Sequence, residues 1–318
     1  MKCLLPLALF CAAALALTTN SPVQLREGGF NAVITGGSRG VGYAMAKEFL
    51  KNGDRVVICG RDQNRLTKAV KRLQDKYAKE PEAVHGIATD ITSYDDVERL
   101  GKFAKEMLGE IDFWINNAGS VAYKRRTILE LEPDDLKRVV DTNLLGTMYC
   151  CKVAIDLMKG QSRVGHIFVM DGAGVDGGQT SGYAAYGATK RAMPQLSGSL
   201  NAELKNLKLD KKIGVHNLSP GMVLTDLLLS DSTPVIRKFF NVLAEEPETV
   251  ASYLVPQIRE VEGSGKYIRF LSNTDGILRI LKGFPQIIFG GRFFDFQGNR
   301  VTQPGATYNE VGVRVDTD

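Results

Sequence analysis

The sequence predicts an α/β fold, a single doubly wound parallel sheet with helices on both faces. From Asn31 onward, short β-branched runs alternate with longer segments of helical period. Such alternation requires parallel strands whose crossovers cover both faces of the sheet. A glycine-rich turn separates the first strand from the first helix, the place where such sheets hold phosphates. No composition break, repeat or low-complexity tract follows, and 318 residues suffice for one large domain with a real core.

The strands are NAVIT, DRVVIC, AVHGIA, IDFWIN, GHIFVM and KIGVHNLS. Most are rich in Val and Ile, with Gly, Asp or Asn at their borders, as strands are. Between them, helical spacing is expected over residues 41–51, 63–77, 94–108, 134–159 and 183–207. After Ser219 the alternation decays into a loop and two helices over residues 224–261, then one strand-like run, KYIRFL. An apolar helical extension, GILRILKGFPQIIFGGRFF, starts at about residue 273, so the main domain is expected over residues 21–295. Residues 296–318 are polar and are expected to form a loose tail.

Charged residues make up 24% of the chain and nearly balance, leaving a net charge of +4. Nucleic-acid binders carry a strongly basic face, so that class is set aside. Lys124, Arg125 and Arg126 form a dense basic cluster, read as a solvated loop. Residues 1–20 stand apart. Lys2, an apolar run from Leu4 to Leu17 and Ala14-Leu15-Ala16 have the layout of a secretory-type signal. That run is short for a span of roughly 20 apolar residues; an uncleaved anchor is the alternative. Outside this segment only Cys59, Cys150 and Cys151 remain, an odd set without framework spacing, so a disulfide scaffold is not expected. His85, His166 and His216 are scattered in or near strands without metal-ligand spacing, and no metal site is expected.

In VITGGSRGVGYA, the glycines Gly36, Gly40 and Gly42 frame Ser38 and Arg39 between strand and helix. They permit a tight turn and close backbone approach to a pyrophosphate, and the helix start offers free N–H groups. The same residues fit G-x-S-x-G, the nucleophile elbow of α/β-hydrolases, with Ser38 as nucleophile. Two features weigh against that alternative. Only the signal-like segment precedes this strand, and His166 and His216 fall within strand runs rather than in loops. NAD-binding sheets usually carry an acid at the end of the second strand. Here Cys59-Gly60-Arg61 lacks one, while Arg61 and Arg39 offer guanidinium groups to a 2′-phosphate. NADPH is therefore the predicted cofactor, with NADH the alternative.

Thr35-Gly36-x-x-x-Gly40-x-Gly42, Asp90, Asn116-Asn117-Ala118-Gly119, Asn143, Tyr186-x-x-x-Lys190 and Pro220-Gly221 occur in that order. Together they resemble the short-chain dehydrogenase/reductase family over about residues 30–262. HIFVMDGAGVDG, AAYGATKRAMPQL, VHNLSPGMVLTDLLLS, FFNVLAEEPETVASYLVP and KYIRFL further resemble its chlorophyll(ide) b reductase branch. Members of that branch are plastid enzymes that reduce the formyl group of chlorophyll(ide) b to hydroxymethyl during chlorophyll b breakdown. The resemblance implies a Rossmann-type sheet, an oxidoreductase, and a chloroplast address with thylakoid association, reached here through the signal segment. Residue by residue, it implies that Tyr186 protonates the carbonyl oxygen as hydride arrives. Free tyrosine titrates near pH ~10, so Lys190, one helical turn on, is expected to lower its pKa and to bind the nicotinamide ribose. Asn143 would hold a water in the proton relay. Asn117, Gly119, Pro220 and Gly221 would line the cofactor, Asp90 would meet the adenine and Thr225 the carboxamide.

The stretch MDGAGVDGGQTSGYAAYGATK departs from the family pattern. Gly172 stands where the carbonyl-orienting serine is usual, and Val175 where close relatives in the branch tend to carry one. Thr180, Ser181 or the backbone N–H groups of Gly172 and Gly174 are the candidate replacements. The expectation is a working reductase with Tyr186 and Lys190 intact. The alternatives are a reductase of another hydrophobic carbonyl and a non-catalytic cofactor-binding scaffold. Partners in keeping with the branch are chlorophyll(ide) b, another copy of the chain or a related reductase. The apolar extension, with Arg279, Lys282 and Arg292 interspersed, fits a membrane interface or a hydrophobic substrate. Equally, it fits packing on the protein's own core or on a second copy.

Overall fold

The computed structural model describes residues 29–121, 125–230, 232–302, 307–309 and 312–315. The signal-like segment and Lys124 lie outside them. The chain runs β1 (Asn31–Ile34), α1 (Gly40–Lys51), β2 (Arg55–Gly60), α2 (Gln63–Lys76), β3 (Val84–Ala88), α3 (Tyr94–Leu108) and β4 (Phe113–Asn116). Next come α4 (Pro133–Val140), α5 (Gly146–Met158), β5 (Gly165–Met170), α6 (Ala184–Asn206) and β6 (Ile213–Ser219). The remainder is β7 (Met222–Val223), α7 (Asp226–Leu229), α8 (Pro234–Leu243), β8 (Ala244–Glu245), α9 (Pro247–Arg259), β9 (Tyr267–Arg269), α10 (Asn273–Phe289), β10 (Thr307–Tyr308) and β11 (Arg314–Val315).

Seven strands form one sheet in the order β3-β2-β1-β4-β5-β6-β9, every neighbouring pair parallel. The predicted doubly wound sheet is therefore present. Successive side chains of a strand face opposite sides, and the core divides accordingly. Ala32, Ile34, Val56, Ile58, Phe113, Ile115, Phe168 and Met170 pack with α1, α2 and α9. Val33, Val57, Cys59, Trp114, Ile167 and Val169 pack with α3, α5 and α6. Both faces are dry, which is why the strands read as nearly continuous apolar runs.

Three departures from expectation matter. The helix expected over residues 134–159 is interrupted by one π-helical turn, Asp141–Leu145, between α4 and α5. Such bulges are one-residue insertions that re-aim a side chain. Residues 224–261 hold the short α7, then α8, β8 and α9, and β8 pairs with β7 just before this segment. The stretch expected to be loose after residue 295 is held where it is described. Arg300 pairs with buried Glu246 and lies over the rings of Phe293, Phe294 and Tyr308. Buried Asn241 accepts from the N–H groups of both Phe293 and Phe294 and donates to the Phe294 carbonyl. A polar tail is anchored here because a buried acid requires a cation.

Candidate active site

A cavity of about 1380 Å³ opens at the carboxyl ends of the strands, where the strand order reverses between β1 and β4. Open α/β sheets bind ligands at such a switch point. Gly36, Ser38, Arg39, Gly40, Arg61, Asp90, Asn117, Gly119, Pro220, Gly221, Thr225, Tyr186 and Lys190 all line it. Of the residues expected from sequence, Gly42 and Asn143 stand behind the lining.

The glycine loop is built for close approach. Gly36 has φ +67° and Gly40 φ +58°. A β-carbon on Gly42 would stand 2.5 Å from the Gly36 carbonyl oxygen and the Asn117 amide. Thr35 Oγ1 accepts from the N–H groups of Asn117 (3.1 Å) and Ala118 (3.0 Å). Asn117 Nδ2 in turn donates to the Thr35 carbonyl at 2.9 Å, so this asparagine ties the β4 loop to the phosphate loop. Asp62 caps α2 and Ser93 caps α3, whereas no side chain caps α1 and its first turn carries no acid. Gly40 and Val41 of that first turn line the cavity, and an uncapped helix start suits a phosphate.

Asp62, the first acid after β2, spends its carboxylate on the Arg65 N–H and is held below the usual carboxylate range by that bond. Arg61 and Arg65 line this end of the cavity. Arg39 is engaged by Asp226 at 2.8 Å, so a phosphate would compete with that exposed pair. Asp90 accepts from the N–H (3.0 Å) and hydroxyl (2.9 Å) of Thr92. These residues fit a dinucleotide.

Tyr186 and Lys190 share one face of α6 and are both buried. Lys190 Nζ donates to the Met170 carbonyl at 3.1 Å and lies 5.8 Å from the Tyr186 ring centre. Burial pushes Lys190 down to about 8, against the pull of Asp171. Burial raises Tyr186 well above its ordinary value, and the charge of Asp171 adds to this. Burial of the phenol thus works against the lowering expected from Lys190. Asn143, within the π turn, accepts from the Ser120 N–H at 2.8 Å and donates to the Ser120 carbonyl and to Thr189 Oγ1. It clamps the β4 loop to α6.

The serine position holds a surprise that sequence reasoning missed. A β-carbon on Gly172 would stand 2.4 Å from Tyr186 Oη. Val175 is buried. Thr180 lines the cavity, whereas Ser181 does not; its carbonyl accepts from Arg125 Nε at 3.0 Å. Also missed was Asp171, buried beside the pair, bonded by Tyr267 Oη and pushed up to about 6 by burial. An acid at the end of an otherwise apolar strand was its only signal.

Ser38 has no histidine with it. His166 Nδ1 and His216 Nε2 meet at 3.0 Å inside the sheet, and His85 sits edge-on to Phe103. The hydrolase alternative fails on this geometry. Among the described residues, no cluster of His, Cys, Asp and Glu has metal-holding geometry.

Comparison with known proteins agrees with this construction. The short chain dehydrogenase family model matches residues 31–234. The chain is 49% identical over 268 residues, 83% of its length and 75% of the relative's, to chlorophyll(ide) b reductase NOL, chloroplastic, of Arabidopsis thaliana. It is 41% identical to the probable chlorophyll(ide) b reductase NYC1, chloroplastic, of the same plant, over 86% of this chain and 56% of that one. An alcohol dehydrogenase from the archaeon Thermococcus sibiricus, complexed with 5-hydroxy-NADP, superposes with a TM-score of 0.63 at 24% identity, covering 76% of this chain and 96% of that one. That likeness speaks for the fold alone. The protein belongs to the short chain dehydrogenase family, and is an oxidoreductase that binds a nicotinamide cofactor.

Proposed function

We propose that the protein reduces the formyl group of chlorophyll(ide) b to hydroxymethyl with NADPH. The observation that carries this reading is the buried Tyr186 and Lys190 at the wall of one cavity that joins the glycine loop to an apolar side. Ile277 and Ile280 of α10 belong to that side, and the plant relatives named above are called chlorophyll(ide) b reductases. The bound cofactor supplies the hydride. Tyr186, protonated through neutral pH, supplies the proton to the carbonyl oxygen, and Lys190 supplies a positive charge behind it. Asn143 fixes the β4 loop against α6, and Gly119, Pro220, Gly221 and Thr225 line the nicotinamide end. Arg61, with Arg39 once it leaves Asp226, favours a 2′-phosphate.

Two further readings belong to the same proposal. α10 presents an outer apolar stripe, Ile277, Leu281, Phe284 and Ile288, which runs outward from the cavity wall. It fits a peripheral contact with the thylakoid surface, from which an apolar pigment would enter. No described helix is long and apolar enough to cross a membrane. A plastid address fits the relatives' names, with residues 1–20 as the targeting signal, and pairing with a second copy or a related reductase remains in keeping with it.

Chlorophyll b and NADPH, followed by absorption, should give the hydroxymethyl pigment, faster than with NADH. Tyr186→Phe should lower turnover by 10² or more. Undiminished turnover by that variant would overturn the Tyr/Lys mechanism. If the parent binds NADPH but reduces no pigment, it is the cofactor-binding scaffold, a reading that the lost serine positions favour.

A further inference from the structure

The first segment of the loop after β5, residues 171–176, is gripped at both ends by β9. At its start, Tyr267 Oη donates to Asp171 Oδ2. At its far end, Arg269 binds Asp176 through two N–H groups at 3.0 and 3.1 Å. Tyr267 and Arg269 are two apart on one strand, so both point to the same face, and the Arg269 guanidinium covers the Tyr267 ring at 3.9 Å. Between the ends the loop presses on α6. A β-carbon on Gly174 would stand 2.7 Å from Gly187 Cα, and the Val175 carbonyl accepts from Arg191. The carboxylate of Asp171 is thereby held at the cavity wall, largely out of water.

We propose that Asp171, clasped by Tyr267, is a positioning residue that places one buried negative charge beside the Tyr186/Lys190 pair and keeps that pair loaded with its protons for carbonyl reduction. The inference rests on the reductase reading given above. A fixed carboxylate disfavours a neighbouring phenolate and favours a neighbouring ammonium. The groups facing it are Tyr186 and Lys190 from α6, Ser219 from β6, and Tyr267 and Arg269 from β9. Burial works against its ionised form, while the bonds from Tyr267 and Ser219 and the charges of Lys190 and Arg269 support it, so that it titrates at about 6. Above that pH the charge is present; below it the carboxyl is neutral, as an amide would be.

This makes Asp171→Asn informative. The rate of carbonyl reduction should be the same in parent and variant at pH 5, where both carry a neutral group. The profiles should separate as the pH rises through about 6. The variant's alkaline limb should lie lower by roughly one pH unit or more. Tyr267→Phe, which removes a bond to the ionised form, should move the point of separation to higher pH. A loss of equal size at every pH, or an unmoved alkaline limb, would make Asp171 merely structural and overturn the proposal. If the parent reduces no pigment at any pH, the reductase reading fails on its own. The inference is then decided by tyrosinate absorption of the protein alone. The signal that Tyr186→Phe abolishes should appear at lower pH in Asp171→Asn than in the parent. Its appearance at the same pH would overturn the proposal.

Discussion

Gly172 leaves no room for the serine that the family pattern calls for. With a β-carbon 2.4 Å from Tyr186 Oη, a side chain there must displace the hydroxyl by something close to an ångström. Restoring the usual residue should therefore harm the enzyme. Gly172→Ser is expected to lower kcat by roughly 10–100-fold, since a 1 Å misplacement of a reacting group costs about that much. It should destabilise the fold by about 1–3 kcal/mol through overpacking. NADPH affinity should change little, because the glycine loop is untouched. Turnover equal to or above that of the parent would show that the hydroxyl can be shared. That a serine is missing was legible in MDGAGVDG. That the tyrosine fills its place was not, because the contact joins the end of β5 to α6 across a loop whose path composition does not fix. The clasp by β9 was hidden for the same reason: Asp171 and Tyr267 stand 96 positions apart.

Elements were easier to read than contacts. β5 lies where period and composition put it, over Gly165–Met170, and α3 over Tyr94–Leu108. Both are fixed by local pattern: a β-branched run between glycines, and an apolar stripe after a serine cap. The π turn at Asn143 was not legible, because one extra residue in a helix leaves its composition unchanged. α10 shows how far amphipathic pattern reaches. Residues 276, 280, 283 and 287 face inward and residues 277, 281, 284 and 288 outward, so both of its stripes are largely apolar. The inner one packs on α8, with Gly283 against Val242, and the outer one is open. The sequence offered membrane, substrate and self-packing as rival readings; the helix has a face for more than one. Ile280→Asp on the inner stripe, at the cavity wall, should raise KM for chlorophyll b by about 10-fold, the scale of one apolar side chain, with kcat within about threefold. Leu281→Asp on the outer stripe should leave KM in detergent unchanged but weaken sedimentation with galactolipid vesicles. A KM rise from Leu281→Asp, or none from Ile280→Asp, would refute this division.

The sheet as a whole carries a pH dependence that the separate histidines did not reveal in sequence. His166 and His216 lie on neighbouring strands, 50 positions apart. The Lys266 N–H donates to His216 Nδ1 at 3.2 Å, which assigns the proton of neutral His216 to Nε2, whence it bonds His166 Nδ1. A proton on His166 Nδ1 or His216 Nδ1 would meet a donor instead of an acceptor. Burial holds the two at about 4 and about 3, below the ordinary value near ~6.5. The unfolded chain takes up protons first, so their contribution is complete above pH ~6.5 and is lost as the pH falls towards the folded values. Asp171 acts with the opposite sign. Its folded value, about 6, exceeds the unfolded value near ~3.9, so it adds stability at low pH that is lost as the pH rises through about 6. Asp54 and Glu246, also raised by burial, act the same way. In urea titrations between pH 7.5 and 4.5 the parent should therefore lose stability on acidification by less than the roughly 5 kcal/mol that the two histidines together could supply. Asp171→Asn should steepen that loss, and His166→Gln, whose amide keeps a donor and an acceptor without titrating, should flatten it. A parent whose stability is flat over this range, and unmoved in slope by either change, would mean that neither the histidine pair nor Asp171 differs in titration between the folded and unfolded chain.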